Sequence, residues 1–239
     1  MKHFRFLPAL TLLAGAFLFS SCNGDEKKTE DKTTGTDSTA VTPAAPEKPG
    51  SILLIRHKVA NYASWKTAYE SHDSVRVAYG LHNYLLARGT KDSNTVMVVL
   101  KADDTAKARQ FTMLPDLKAA MQKGGVVGMP MFQLIDVQWH DTSSTAGKSR
   151  VVITHKVKDW DAWKKSFDSH KQVRTDAGLA DRLVGYATGD NHTVSVALVI
   201  NDAVKAEAFM NSKDLKDKMA ESGVVGPPDI FFYTVVQKY

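Results

Sequence analysis

The sequence predicts an α+β fold: two tandem copies of one βαββαβ unit, packed sheet to sheet into a barrel inside a single chain. Three observations carry this. One segment recurs without gaps at a fixed offset, both copies show the same order of strand and helix patterns, and several strands are apolar on both faces.

The repeat is plain by inspection. His57-Lys58-Val59 returns as His155-Lys156-Val157, an offset of 98 residues. The same offset carries Trp65-Lys66 onto Trp163-Lys164, Ser71-His72 onto Ser169-His170 and Val75-Arg76 onto Val173-Arg174. It also carries Asp116-Leu117-Lys118 onto Asp214-Leu215-Lys216, and the run 125–130 onto 223–228. A fixed period of this kind marks an internal duplication. The copies span residues 51–140 and 149–239, joined by a Ser/Thr/Gly-rich linker.

Each copy opens on a β-branched apolar run, 52–59 in the first, which reads as a strand. Asn61 and Asp159 then stand where a helix N-cap belongs. Tyr62, Trp65, Tyr69, His72 and Arg76 follow at helical spacing, as do Trp160, Trp163, Phe167, His170 and Arg174. They predict one helix with a single stripe, closed by Gly80 or Gly178. Residues 84–90 and 95–101 are two strands about an Asp-Ser-Asn turn, and the second copy turns at Gly189-Asp190-Asn191. Residues 105–111 and 115–123 are two short helices. The glycine-rich run 125–130 is expected to cap the helix and lead tightly into the last strand, 132–139. It lacks the Lys-Ser/Thr and the strand-before, helix-after context of a phosphate loop.

This order is the ferredoxin-like split βαβ unit. The first and third strands, such as Val96-Met97-Val98-Val99-Leu100, are apolar on both faces and need cover on both sides. Helices cover one face, and the partner repeat is the natural cover for the other.

With these residues in hand, the two repeats resemble the dimeric α+β barrel superfamily, which includes antibiotic-biosynthesis-type monooxygenases. The resemblance lies in the strand order, the His-Lys-Val…Trp-Lys…His…Arg pattern, and Gly-Val-Val-Gly-x-Pro before the last strand. It implies the fold more than an activity, because that superfamily spans cofactor-free oxygenases, haem-handling proteins, isomerases and ligand-binding regulators.

The N-terminus reads separately. Lys2, His3 and Arg5 precede an apolar run, 6–19, too short for a membrane-spanning helix of about 20 residues. With Phe19-Ser20-Ser21-Cys22 this is the layout of a secretory signal peptide over residues 1–21. Cys22 is the one cysteine of the chain. The segment resembles the lipobox of Bacteroidetes-like bacterial lipoproteins, with Phe19 in place of the usual leucine. That implies cleavage before Cys22, acylation there, and a lipid-anchored protein of the cell envelope, in the outer membrane and facing the periplasm or the surface. Several acyl chains, at about 0.8 kcal/mol per buried CH₂, hold a protein at a bilayer stably. Residues 22–50 carry almost no large apolar side chain and read as a disordered tether. Asp25-Glu26 loosely resembles a surface-export signal, a weak one, and an ordinary solvated linker explains it better.

Once Cys22 is acylated, no thiol remains for a disulfide, a nucleophile or a thiolate metal site. The net charge of +5 comes with acids and bases interspersed, without the basic, aromatic-laced stripe that nucleic-acid binding needs. No metal site is expected, since the matched histidines, two per repeat, have no third ligand beside them.

Four histidines are the catalytic candidates. His57 and His155, on the pleat face of Ile55 and Ile153, are expected at the barrel mouth, as a general base or an axial ligand. A strand-end histidine bonded to a carbonyl is the plainer alternative. His72 and His170 precede Arg76 and Arg174 by four residues on a helix. Together with Trp65, Tyr69, Trp163 and Phe167 they could form a pocket where a ring stacks and an arginine meets an anion. Alternatively the aromatics are core, and the His and Arg pair with local acids such as Asp116. The reading is an exported lipoprotein binding a small, partly aromatic or anionic ligand. The alternatives are a cofactor-independent monooxygenase-like enzyme and, third, a haem binder. No cofactor is predicted.

Overall fold

The computed structural model describes residues 50–143, 147 and 149–239. The expected signal peptide, Cys22 and nearly all of the tether lie outside the described residues. Both repeats fall in one compact unit.

The first repeat runs β1 (Ser51–Val59), α1 (Tyr62–Ser71), α2 (Asp73–Ala78), β2 (Leu81–Gly89), β3 (Thr95–Ala102), α3 (Thr105–Thr112), α4 (Pro115–Lys123) and β4 (Val126–His140). The second repeats this order with β5 (Ser149–Val157), α5 (Trp160–Ser169), α6 (Lys171–Asp176), β6 (Leu179–Ala187), β7 (Asp190–Ile200), α7 (Ala203–Met210), α8 (Lys213–Glu221) and β8 (Val224–Lys238).

The expected caps are present. Asn61 accepts from the Ser64 N–H and Asp159 from the Ala162 N–H. Such caps satisfy one orphan donor of the first turn. Gly80 and Gly178 take positive φ of 66° and 72°, a conformation that a Cβ would oppose.

Three expectations are corrected. The first helix is two, because His72 (φ −97°, ψ 13°) and His170 (φ −92°, ψ 9°) leave helical geometry. The bend lets Arg76 and Arg174 fold back onto carbonyls one turn beyond the ordinary helical reach. The last strand begins at Val126 rather than 132, because Gly128 (φ 74°) absorbs a register shift opposite Arg56/Lys58, so the glycine run joins the sheet as a bulge. The second hairpin turns one residue earlier, at Thr188-Gly189, where Gly189 takes φ 85°.

Each repeat forms an antiparallel sheet in the order 4-1-3-2, and the two close into one eight-stranded barrel. The closure is by hydrogen-bonded edges as well as by packed faces: β2 pairs with β8 and β4 with β6. Pairing each last strand with the second strand of the other repeat removes all four sheet edges. The alternation of the strands divides the core. Leu53, Ile55 and Val59 face the helices of the first repeat around Trp65, Phe111 and Leu117. Leu54, Met97, Val99, Ile135, Val152 and Tyr233 fill the barrel interior. A third cluster, around Val151, Trp163 and Leu198, is the helix-facing core of the second repeat.

Candidate functional site

His57 belongs to the odd-numbered residues of β1, which face the helices. The expected position at the barrel mouth is therefore wrong: His57 and His155 lie beneath α1 and α5, on the outer side of the barrel. The parity of an amphipathic strand tells which residues share a face, but a strand apolar on both faces does not say which face is which.

From there a continuous stack runs outward. The His57 ring stands 5.4 Å from Trp65, Trp65 stacks on Tyr69 at 5.1 Å, and the Arg76 guanidinium lies 3.9 Å from the Tyr69 centroid. The second repeat builds the same column. His155 is 5.4 Å from Trp163, Trp163 is 5.1 Å from Phe167, and Arg174 is 3.6 Å over Phe167. The predicted stripe is thus real in both copies, with the strand histidine as its inner end.

Each column forms a wall of a cavity between sheet and helices. In the second repeat the cavity measures about 100 Å³, and His155, Trp163, Phe167, His170 and Arg174 all reach it. In the first it is about 40 Å³ and touches His57, Trp65, Tyr69, His72 and Arg76. All ten residues singled out in the two repeats therefore converge on two equivalent cavities.

The size difference has a local cause. In the first repeat α4 buries Leu117 against the sheet and Phe111 is 1% exposed. Their counterparts Leu215 and Phe209 are only half-buried, and α8 buries no residue fully. The second helical layer stands off the sheet, and Met210 and Met219, side chains that adapt to irregular space, line the gap.

Polar groups in the two cavities differ in their freedom. Both ring nitrogens of His57 and of His155 are buried without a hydrogen-bond partner. Burial alone pushes each imidazole down from 6.5 to about 4, so both rings are neutral at pH 7 and each keeps one acceptor and one donor nitrogen. The carbonyl-bonded alternative for these histidines does not hold.

The arginines, in contrast, are held by the protein. Arg76 donates to the Tyr69 carbonyl at 2.7 Å and to Asp73 at 2.9 Å. Arg174 donates to the Phe167 carbonyl at 2.6 Å and makes a two-pronged pair with Asp181. Local pairing is thus correct in kind, with Asp73 and Asp181 as partners in place of Asp116. Half-buried His72 is pushed down by burial, then by Arg76, with Asp116 opposing. As hinge residues, His72 and His170 present backbone to the bend and a ring to the cavity edge.

Reading along the chain missed Asn83 and Asp181, equivalent strand residues that secure the columns. Asn83 receives the Tyr69 hydroxyl and donates to Asp73 at 2.7 Å. Both sit at bulges, so simple alternation could not have placed them.

No family model and no curated protein matches the chain. Solved structures do match. A candidate monooxygenase from Fusobacterium nucleatum superposes with a TM-score of 0.53 at 16% identity, over 80% of this chain and 94% of its own. An anthrone oxidase-like protein reaches 0.55 at 14% identity, over 81% and 94%. A candidate chlorite dismutase reaches 0.52 at 15%, over 78% and 94%. At such identities the likeness is one of fold: the chain has the architecture of the dimeric α+β barrel proteins, with both ferredoxin-like halves in one polypeptide.

Proposed function

We propose that this is a lipid-anchored envelope protein that binds a small, single-ring ligand in the cavity of its second repeat. The observation that carries the reading is His155, a neutral, partnerless imidazole at the inner end of an otherwise apolar, aromatic-walled cavity. An unpaired buried polar group is costly, and a ligand hydroxyl would satisfy it. Size narrows the class. An engineered apolar cavity of about 150 Å³ takes benzene, and ordinary ligand pockets start near 300 Å³. A space of about 100 Å³ is smaller than that and opens to one side, so it suits a single ring lying partly in the mouth, such as a phenol or catechol. A haem macrocycle does not fit it, so no haem chemistry is derived. Because Arg174 is occupied by Asp181, the ligand's recognised group is a hydroxyl rather than an anion.

The anchor is the second part of the proposal. Acylated Cys22 would hold the barrel at the envelope through residues 23–50. Metabolic labelling with a fatty-acid analogue should mark the wild type and not Cys22→Ser; equal labelling would reject it.

The binding test uses Trp163 as its own reporter. Phenol and catechol should quench its fluorescence saturably, and His155→Phe, which keeps a ring but removes both nitrogens, should abolish the effect. Unsaturable quenching, or quenching unchanged by the substitution, would overturn the reading.

The same imidazole favours one alternative. A neutral imidazole beside a ring hydroxyl is placed to accept a hydrogen bond from it, the positioning a cofactor-independent oxygenase needs of its base, although burial makes this ring a weak one. Oxygen uptake with catechols or quinols, lost in His155→Phe, would establish turnover; binding without uptake would leave a binding protein.

A further inference from the structure

The two helix-side cavities differ on the side away from the strand histidines in a way the inner columns do not. Among the residues lining the cavity of the second repeat, Ser166 lies on α5, Lys218 on α8, and Ser222 caps α8. The 98-residue offset carries these onto Ala68, Ala120 and Gly124, and all three line the smaller cavity of the first repeat. Three positions that are small and apolar in one copy are therefore two hydroxyls and a lysine in the other. His170 does not distinguish the copies, because His72 lines the first cavity in the same place.

The exchange has a steric consequence. Ala68 and Gly124 meet across α1 and α4: a Cβ at Gly124 would lie 3.2 Å from the Ala68 Cβ, closer than ordinary van der Waals contact. Gly124 is buried, and the two helices close over the first cavity. So close an approach is barred to α5 and α8, since Ser222 adds a Cβ and both serines add a hydroxyl at the facing positions. Ser166, Lys218 and Ser222 are half-buried, in reach of solvent as well as of the cavity.

The chemistry of this rim is neutral. The Ser222 hydroxyl donates to the Met219 carbonyl at 3.0 Å, so its lone pairs remain to accept, and Ser166 supplies a hydroxyl that can donate. The Lys218 ammonium is answered by Glu221 at 2.8 Å, and what it brings to the rim is its apolar stem. An alcohol, which both donates and accepts, suits such a rim. We propose that the gap between α5 and α8 is the entrance to the second cavity, and that its ligand is a phenol with a short alcohol arm para to the ring hydroxyl, held by Ser166 and Ser222. The inference rests on the reading above, in which the ring hydroxyl meets His155 at the inner end. An arm that reaches the rim must then leave the ring opposite that hydroxyl.

Phenol, para-hydroxybenzyl alcohol and ortho-hydroxybenzyl alcohol are the probes, titrated into the whole mature chain by calorimetry. The two alcohols carry the same groups and differ only in where the arm leaves the ring. The para isomer should bind roughly 3–10-fold tighter than phenol, the usual effect of one neutral hydrogen bond, and the ortho isomer no tighter than phenol. Ser166→Ala/Ser222→Ala removes both hydroxyls, keeps both Cβ atoms, and should bring the advantage of the para isomer over phenol close to one. Ser222→Phe fills the gap and should block all three probes. Phenol binding that His155→Phe abolishes, but with no preference between the isomers or a preference that survives the double serine variant, would overturn this inference and leave the reading of the cavity standing. Binding of every probe through Ser222→Phe would also overturn it. No saturable binding of any probe would overturn both.

Discussion

Arg174 and Asp181 meet through two parallel hydrogen bonds, Nε to Oδ1 and Nη2 to Oδ2, each 2.8 Å. Both side chains are less than a tenth exposed. In the first repeat the acid has moved: Asn83 occupies the place of Asp181, and Asp73, on the helix, pairs with Arg76. The aromatic beneath the arginine changes with it, since Tyr69 bonds Asn83 whereas Phe167 has no hydroxyl to place. The two copies have thus kept one buried guanidinium, each with its own counter-charge.

The different burial of these acids predicts unequal costs. Asp181→Asn breaks a buried pair and should destabilise by about 3 kcal/mol. Asp73 is half exposed, so Asp73→Asn should cost about 1 kcal/mol or less. Urea unfolding of the two variants measures the difference, and equal midpoints would contradict it.

Acid should destabilise the fold through His57 and His155. Their folded pKa of about 4 lies below the unfolded value of 6.5, so the unfolded chain binds protons first. Their destabilising effect is absent above pH 6.5 and grows as the pH falls towards 4, reaching on the order of 3 kcal/mol per histidine. The double variant His57→Phe/His155→Phe should show a much flatter loss of Tm between pH 6.5 and 4 than the wild type.

The two positive-φ glycines that follow α2 and α6 should not be equally replaceable. An alanine Cβ at Gly80 would lie 3.3 Å from the Asp103 Cβ, and at Gly178 only 2.5 Å from the Asp202 Cβ. Gly80→Ala should cost about 1 kcal/mol from its backbone conformation. Gly178→Ala should cost about 2–3 kcal/mol, because backbone strain and overlap combine. Thermal or urea unfolding ranks the pair.

Cutting the chain between the repeats should not separate them. Strand β2 is bonded to β8 and β4 to β6, and the interior cluster draws residues from both halves. A protease site engineered between Ser143 and Ser149 should yield, after cleavage, two fragments that elute together at the size of the intact chain. Their separation on the column would refute edge closure as a main source of cohesion.

Much of this was legible along the chain, because it depends on local physics. The 98-residue repeat, the strand periods, the caps at Asn61 and Asp159 and the glycine stops depend on neighbours a few residues away. They sufficed for the element order and for the pairing of two ferredoxin-like sheets. The stripe from Trp65 to Arg76 was also legible, as a pattern, since its members share a helical face. The face on which His57 lies was not, because β1 is apolar on both sides and its alternation has no sign until helices and partner sheet take their places. The break at His72 and the bulges at Asn83 and Asp181 escaped for a related reason: each goes with side-chain bonds across the bend or from helix to following strand, Arg76 to the Tyr69 carbonyl, Asn83 to Asp73 and Arg174 to Asp181, which periodicity along one element does not show. The meeting of Arg150, Arg182 and Ile52 inside the barrel was least visible of all. Residues 98 apart in equivalent positions meet only when the barrel closes around its axis, and that closure belongs to the tertiary structure alone.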